Sequence, residues 1–353
     1  MDCHVCGAKK LIRLPGYEML PKVSSDCKPC SIPSDLCICE VCGCVQKAVN
    51  HIWQESIDEI YRAYSIYYQA GGYEQQFFAE ESGRMTARSE SLLTQLTKFV
   101  ELPEEGRMLD VGCGNGALLK VFNKIRPRWS LVGTELNQKH KKEVEQIDGV
   151  EAVYTVDMPN MVPGRFDLIT MVHLLEHIKC PSEFLMKLGG KMKPDGLLVL
   201  QLPDYTSNPF DLIIADHATH FCVRSISRLI RNLGFEIFNN TFEWIPKETT
   251  IIAKRKPAAH CQERQELFQP GQTDLVNKSL DWLHETISLA RQSLTSNNTG
   301  LFGTSIAATW LCQELGDAVS FFVDEDLHRV GTNYLGRHVY KPENVPEASQ
   351  VYI

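Results

Sequence analysis

The chain has 353 residues, 43% hydrophobic and 23% charged, which is typical of a globular protein with two or three domains. Its net charge of −8 argues against a nucleic-acid partner, since a broad nucleic-acid-binding face is usually basic. No apolar run reaches the roughly 20 residues of a membrane-spanning helix, and no secretory signal pattern begins the chain.

Residues 1–50 are unusually rich in cysteine: eight of the 13 cysteines lie before residue 45. This clustering, together with the odd total, favours metal binding in a reducing cytoplasm over a disulfide scaffold. Two Cys-x-x-Cys pairs, each followed by glycine, predict a zinc-binding module. The expected ligands of one structural Zn²⁺ are Cys3, Cys6, Cys39 and Cys42.

The surplus cysteines leave alternatives to this ligand set. Cys27 and Cys30 form a competing Cys-x-x-Cys pair, and Cys37 and Cys44 flank the second chosen pair. An iron–sulfur cluster, or a set of free buried cysteines, would use the same residues.

Residues 51–100 predict a helical connector. Apolar residues at intervals of three or four indicate a helix from His51 that ends at Gly71-Gly72, and a second helix covers about 86–99. Four tyrosines lie close together in the first helix: Tyr61, Tyr64, Tyr67 and Tyr68. They either cover an adjacent domain or bring one phenol into a substrate cleft, and Tyr67 is the candidate for that role.

Residues 101–255 begin with a strand, a glycine-rich turn and a helix. The strand is 108–111, the turn contains Gly112, Gly114 and Gly116, and the helix is 117–125. Such a turn lets backbone N–H groups approach a ligand at a helix N-terminus. The next strand, 131–134, ends in Glu135, where a carboxylate can accept both hydroxyls of a ribose. Asp110 before the turn disfavours a pyrophosphate and suits a cationic ligand.

These motifs resemble those of class I S-adenosylmethionine-dependent methyltransferases. "LDVGCGNG" is similar to their first motif, "LVGTELN" to their ribose-binding strand end, "YTVDMP" to their adenine contact and "MKPDGLLVLQLP" to their fifth strand. The resemblance implies a Rossmann-like α/β fold with a doubly wound, mostly parallel sheet, and S-adenosyl-L-methionine as cofactor. The implied cofactor-binding residues are Asp110, Gly112, Cys113, Gly114, Glu135, Leu136, Asp157, Met158 and His173.

Methyl transfer requires an aimed nucleophile and often a base. "HLLEHIKCP" follows the fourth strand, so His177 is the expected base and Glu176 is expected to orient it or to polarise the substrate. The same Glu-His pair could instead shape the loop. His217 and His220 are expected to line the cleft or to be structural.

Residues 256–353 predict a C-terminal α/β domain. A polar linker leads to a helix at 274–294, and then strand 300–302, a helix opening at Gly303-x-Ser305 and strand 319–323 form a βαβ unit. Asp324 ends the last of these strands. The unit has one well-placed glycine, so it is either a ligand-binding Rossmann-like unit or a purely structural one.

As a whole, the chain resembles the zinc-containing nucleotide-sugar C-methyltransferases, whose second knuckle is similar to "CEVCGCVQ" and whose C-terminal end is similar to "VGTNYLGRHVYKPENVP". The resemblance implies C-methylation of a nucleoside-diphosphate keto-sugar: His177 deprotonates a carbon next to a carbonyl and a phenol, Tyr67, stabilises the enolate. The alternative is an O- or N-methyltransferase acting on a glycan, a lipid precursor or a small metabolite. A non-catalytic binder of the cofactor and a protein-modifying enzyme are further alternatives.

Overall fold

The computed structural model describes residues 1–67, 70–74, 76–79, 83–241, 244–256, 271–294, 298–347 and 349–352. Tyr68 and most of the predicted linker before residue 271 lie outside these ranges. The N-terminal segment contains β1 Leu11–Arg13, β2 Lys22–Val23, β3 Pro29–Cys30, β4 Leu36–Cys39 and β5 Val45–Lys47.

The connector contains α1 His51–Arg62, β6 Gln76–Ala79, β7 Arg84–Ala87 and α2 Arg88–Phe99. The Asn50 side chain accepts a hydrogen bond from the backbone N–H of Trp53 at 2.9 Å and so caps α1. The prediction that this helix runs to Gly71 is wrong. The chain leaves the helix after Arg62, and Tyr67 turns it in the left-handed region at a φ of 50°. The prediction of the second helix is confirmed.

The central segment contains β8 Gly106–Val111, α3 Ala117–Ile125, β9 Trp129–Glu135, α4 Lys141–Val144, β10 Val150–Thr155, β11 Phe166–Val172, α5 Pro181–Gly189, β12 Met192–Pro203, β13 Thr219–His220, α6 Val223–Asn232, β14 Phe235–Thr241 and β15 Glu248–Arg255. Its seven-stranded sheet has the order β10-β9-β8-β11-β12-β15-β14. The first five strands are parallel, and β15 is antiparallel to both of its neighbours. The predicted mostly parallel sheet is confirmed.

Reversal of strand order next to β8 places the ligand-binding crevice at the carboxyl ends of β8, β9 and β11. The strands that flank this crevice are buried on both faces, as β11 illustrates with Phe166, Leu168, Ile169 and Met171. The apolar sides of α5 and α6 pack on one face of the sheet, and those of α2 and α3 pack on the other.

The cysteine-rich segment shares a sheet with the central segment. β1, β4, β5 and β13 form an antiparallel sheet in that order. β13 belongs to the loop between β12 and α6, so the N-terminal segment extends this loop into a sheet. The backbone N–H of Lys47 also donates to the carbonyl of Ala218 at 2.9 Å.

The C-terminal segment contains α7 Gln272–Gln292, β16 Thr299–Phe302, α8 Ile306–Leu315, β17 Val319–Val323, β18 Asn333–Tyr334, β19 Arg337–Tyr340 and β20 Gln350–Tyr352. Parallel β16 and β17 with α8 between them form the predicted βαβ unit. Asp324 after β17 accepts hydrogen bonds from the backbone N–H and hydroxyl of Thr304 at 2.9 and 2.8 Å. Its carboxylate therefore braces the turn before α8. Among the described residues, no helix is both long enough and apolar enough to cross a membrane.

Candidate active site

The glycine turn between β8 and α3 has the backbone that its sequence predicts. Gly112, Gly114 and Gly116 have φ values of 76°, 53° and 78°, which favour glycine over other residues. A Cβ on Gly112 would lie 3.1 Å from the side chain of Leu174, and one on Gly114 would lie 2.5 Å from Ile66. The turn is therefore in close contact with the loop after β11 and with the chain that follows α1.

Asp110 lies at the carboxyl end of β8 and is 3% exposed. Its carboxylate accepts a hydrogen bond from the hydroxyl of Thr170 on β11 at 2.7 Å. Burial raises the pKa of Asp110 to about 7, and the charges of Glu135 and Glu74 act in the same direction, whereas the bond from Thr170 opposes the rise. A cation beside this carboxylate would stabilise its charged form.

Glu135 ends β9 opposite the glycine turn. Its carboxylate accepts hydrogen bonds from the backbone N–H of Gly114 at 3.0 Å and of Leu136 at 2.8 Å. The acidic strand end and the glycine turn are thus joined directly, in the arrangement that the sequence motifs imply for a ribose.

The remaining predicted cofactor residues lie around the same edge of the sheet. Cys113 is buried within the turn, whereas the side chain of Leu136 is exposed. Asp157 is exposed and Met158 half-buried in the segment that follows β10. These positions fit an adenosyl group lying along the carboxyl ends of β8, β9 and β10.

His173 follows β11 and takes a left-handed backbone conformation with a φ of 50°, which costs energy for a residue other than glycine. Its ring nitrogens lie 2.9 Å from a carboxylate oxygen of Glu248 and 3.4 Å from one of Glu176. Burial opposes a charge on the ring, but the carboxylates outweigh it and raise the pKa of His173 to about 9. Arg88 pairs with Glu248 at 2.9 Å, so an ionic chain links α2, β15 and the loop after β11.

His177, the predicted base, lies in a short 3-10 helix beside this chain. Its Nδ1 is 3.1 Å from the hydroxyl of Tyr61, 3.2 Å from the carbonyl oxygen of Asp216 and 3.4 Å from the Asp216 carboxylate. Burial disfavours the charged ring, but Asp216 outweighs it and raises the pKa of His177. In turn, despite burial, His177 holds the pKa of Asp216 below its usual range.

The two other histidines of the site are joined by Asp211. One carboxylate oxygen lies 2.8 Å from Nδ1 of His217, and the other lies 2.8 Å from Nδ1 of His220. The rings of His177 and His217 meet edge to face, with centroids 4.7 Å apart. His217 therefore belongs to the same cleft as His177, while His220 lies behind it and is fully buried.

Among the hydrogen bonds and ring contacts of the described residues, none joins the predicted phenol, Tyr67, to His177. Burial raises the pKa of Tyr67, and its charged neighbours are Glu74, Arg88, Glu248 and Asp110, which places it toward the glycine turn. Tyr61, one of the four tyrosines of the connector, is the phenol that contacts His177. The spacing of the four tyrosines could not identify Tyr61 as this phenol. The prediction assumed one continuous helix through all four, whereas α1 ends at Arg62, directly after Tyr61.

The four chosen cysteines come together as predicted. Their sulfur atoms all lie within 4.8 Å of one another, with Cys3 and Cys42 at 3.4 Å and Cys6 and Cys39 at 3.7 Å. Thiolates that bind one tetrahedral Zn²⁺ at about 2.3 Å stand about 3.8 Å apart. The two pairs have matching turns, in which Gly7 and Gly43 donate to the carbonyls of Cys3 and Cys39. The chemistry and spacing of this set fit a structural metal ion.

Sequence reasoning missed the residues that fix the loop between β12 and α6 (residues 204–222) from a distance. Ser25 of the cysteine-rich segment donates its backbone N–H and its hydroxyl to the Asp216 carboxylate at 2.8 and 2.6 Å. The Trp53 indole donates to the carbonyl of Ala215 at 3.0 Å. The sequence "DHATH" offered one signal of these partners. Acidic and histidine residues that lie so near each other in the chain can orient one another.

The fold and site agree with a comparison of the sequence with known families: residues 85–240 match the family described as "Methyltransferase domain". Residues 85–240 therefore match a methyltransferase domain, which confirms that part of the resemblance.

Two curated relatives that match are mitochondrial enzymes named "Ubiquinone biosynthesis O-methyltransferase". The Schizosaccharomyces pombe protein is 31% identical over 100 residues, which cover 27% of this chain and 36% of that one. The Saccharomyces cerevisiae protein is 31% identical over 119 residues, covering 31% and 36%. This chain thus spans about a third of the length of these relatives. Both names specify O-methylation, so they lend no support to sugar C-methylation.

Among solved structures, an S-adenosylmethionine-dependent methyltransferase from Clostridium acetobutylicum is 12% identical. The match covers 58% of this chain and 98% of that one, with a TM-score of 0.40.

Proposed function

We propose that this protein transfers a methyl group from S-adenosyl-L-methionine to an oxygen atom of a small-molecule acceptor. The observation that carries the proposal is the contact between two groups of residues. The loop that bears His173, Glu176 and His177 packs directly on the glycine turn, since Leu174 lies against Gly112. A cationic methyl donor on the turn and an acceptor beside His177 would then be neighbours.

The residues that would hold the donor are Asp110, Gly112, Gly114 and Glu135. The buried Asp110 carboxylate suits the ammonium group of the donor, and the absence of side chains on the glycines lets the ligand approach the backbone. Asp157, Met158 and His173 complete this set at the neighbouring strand ends. When bound, the donor supplies an electrophilic methyl group on a sulfonium.

We assign His177 to the proton-bearing oxygen of the acceptor. Asp216 fixes the ring through Nδ1, and this leaves Nε2 for the acceptor, because no described residue bonds to that nitrogen. An imidazole held in this way by a carboxylate is suited to assist proton removal. The names of the curated relatives favour oxygen as the atom that is methylated.

The test is to incubate the full chain with S-adenosyl-L-methionine and a panel of hydroxylated small molecules, lacking or containing a keto group, and to detect the methylated product by mass spectrometry. Methylation of a hydroxyl on an acceptor without a keto group supports the proposal. His177→Gln should lower turnover by about two orders of magnitude and leave the affinity for S-adenosylhomocysteine unchanged. Cofactor binding without transfer to any hydroxylated acceptor would contradict the proposal.

C-methylation of a nucleoside-diphosphate keto-sugar is the second candidate, and the contact between Tyr61 and His177 favours it. Burial raises the pKa of Tyr61 well above its usual value, so its phenol stays protonated and could donate to an enolate oxygen beside the imidazole. The signature of C-methylation would be exchange, in D₂O, of the hydrogen on the carbon next to the carbonyl. An absence of exchange with every keto-sugar tested would remove this candidate.

We also propose that Cys3, Cys6, Cys39 and Cys42 bind one structural Zn²⁺. Four thiolates fill a tetrahedral shell and leave no position for a substrate, so the ion would stabilise the fold rather than take part in the reaction. The geometry of the sulfurs and the matched glycine turns support this role.

A further inference from the structure

A second set of possible metal ligands lies in the cleft, separate from the cysteines. Glu176, His177 and His217 each offer one ligand atom, and these atoms all lie within 4.8 Å of one another. Glu176 is 1% exposed, and neither of its carboxylate oxygens has a hydrogen-bond partner among the described residues. Its shortest ion pair within the described part of the chain, to His173, is 3.4 Å long. The buried carboxylate is balanced by the charge of His173, and both of its oxygens remain available to a cationic or hydrogen-bonding ligand.

The two histidines are oriented as metal ligands commonly are. Nδ1 of His217 lies 2.8 Å from the Asp211 carboxylate, and Nδ1 of His177 lies 3.4 Å from that of Asp216. Each ring is thus fixed on one side by a carboxylate and presents Nε2 on the other, the arrangement that raises the basicity of metal-binding imidazoles.

The separation of the rings also fits a shared ion. Their centroids are 4.7 Å apart and their planes cross at 88°. Two imidazoles that bind one ion at about 2.1 Å from each nitrogen stand at a similar separation. The neighbouring trio of Asp211, His217 and His220 is less suitable, because both oxygens of Asp211 are already engaged by the two rings.

We propose that Glu176, His177 and His217 bind a divalent transition-metal cation that receives the acceptor. This inference rests on the proposed function. Two histidines and one carboxylate occupy one face of the ion and leave the opposite positions open. An acceptor with two adjacent oxygens, at least one of them a hydroxyl, can chelate an ion of this kind, so the inference defines the acceptor class.

With this cation, His177 would assist removal of the acceptor's proton as a metal ligand. As a ligand, His177 helps to hold an ion that lowers the pKa of the bound hydroxyl, and does not itself take the proton. The hydroxyl proton passes to water. The oxygen forms a bond to the methyl carbon while the carbon–sulfur bond breaks, so the sulfonium leaves as a neutral thioether. No oxidant or further reactant is needed.

The test uses Co²⁺ as the probe and the full chain with its cysteine site already filled with zinc. The wild type should bind one further equivalent of Co²⁺, whose absorption shows nitrogen and oxygen ligands and lacks a thiolate charge-transfer band. Glu176→Gln and His217→Ala should each weaken this binding at least about tenfold. Glu183→Gln on α5 is the matched control, because this exposed carboxylate pairs with Lys187 and, among the described residues, with no other charged side chain. Binding of S-adenosylhomocysteine shows that each variant is folded.

Either of two results of the Co²⁺ titration would overturn the inference: no Co²⁺ bound beyond the cysteine site, or unchanged Co²⁺ affinity in both cleft variants. Methyl transfer that persists after removal of all cleft-bound metal would also refute it, yet would leave the proposed function intact with His177 as a direct base. Co²⁺ binding without methylation of any hydroxylated acceptor would instead refute the proposed function. The two failures are therefore distinguishable.

Discussion

At the scale of single residues, Asp110 is a carboxylate whose charge depends on the occupant of the site. Burial raises its pKa to about 7, so in the free protein it is half protonated near neutral pH. Its raised pKa also means that the folded protein holds a proton that the unfolded chain releases. The stability contributed by this proton is complete below the ordinary pKa of aspartate and is lost as the pH rises through about 7.

This carboxylate makes cofactor binding dependent on pH. If, as proposed, the ammonium group of S-adenosylhomocysteine pairs with the charged form of Asp110, the dissociation constant should rise by up to about tenfold for each pH unit below 7. Calorimetric titrations at a series of pH values measure this change in the dissociation constant. Thr170→Val removes the hydrogen bond that favours the charged form and should move the midpoint to higher pH. Affinity independent of pH would show that Asp110 does not contact the ligand.

Ser25 illustrates a residue that acts through another. Its hydroxyl lies 2.6 Å from the Asp216 carboxylate, which in turn fixes His177. Ser25→Ala should therefore lower kcat about tenfold and leave the affinity for S-adenosylhomocysteine unchanged. Ser56→Ala is the matched control, since the one hydrogen bond of that hydroxyl within the described ranges is to the carbonyl of Ile52, on the exposed face of α1. Equal turnover in the two variants would show that Asp216 needs no hydroxyl partner.

At the scale of elements, the sequence predicted those whose signal is local. The helix α3 and the strand β17 have the predicted bounds, because a glycine turn or a run of buried β-branched and aromatic residues defines each one. The predicted end of α1 was wrong. The chain leaves the helix before the expected stop signal at Gly71, because the residues after the helix contact the glycine turn.

The two cysteine turns are a further element whose sequence signal is local. Each closes with a glycine at a φ near 70°, and the four sulfurs converge. We expect Co²⁺ introduced in place of zinc to show a thiolate charge-transfer band of equal intensity in the wild type and in Cys37→Ser, and a weaker band with lower Co²⁺ affinity in Cys39→Ser, where three thiolates remain. Cys37 lies on the same strand outside the sulfur cluster. Cys39→Ser should also lower the melting temperature markedly, because metal binding contributes directly to the folding free energy. A band of wild-type intensity and unchanged Co²⁺ affinity in Cys39→Ser would rule out this ligand set.

At the scale of the whole molecule, the site depends on contacts that no local pattern could predict. Ser25 and Asp216 are 191 positions apart, and Tyr334 donates to the carbonyl of Cys27 across 307 positions. Such pairs follow from the packing of whole segments. The motifs therefore placed the residues proposed for the cofactor at successive strand ends, where the structure has them, but did not indicate the partners that orient His177.

The N-terminal and C-terminal segments share one apolar core. Leu14, Tyr17 and Leu36 pack with Leu283 of α7 and Trp310 of α8. This core also includes Leu212 and Ile213 from the loop that carries Asp211. The arrangement implies that the cysteine-rich segment, the loop between β12 and α6, and the C-terminal segment unfold together.

Trp310→Ala tests this coupling. The side chain is fully buried, so its loss should cost about 3–5 kcal/mol of unfolding free energy. Calorimetry should show a single transition at lower temperature, and hydrogen exchange should increase at Asp216 and His217 as well as in α8. Trp282→Ala is the matched control: this half-exposed indole packs on the same ring of Phe210, at 5.4 Å against 5.5 Å for Trp310, and its loss should cost much less. Faster exchange confined to the C-terminal segment in Trp310→Ala would show that this segment unfolds independently of the loop between β12 and α6.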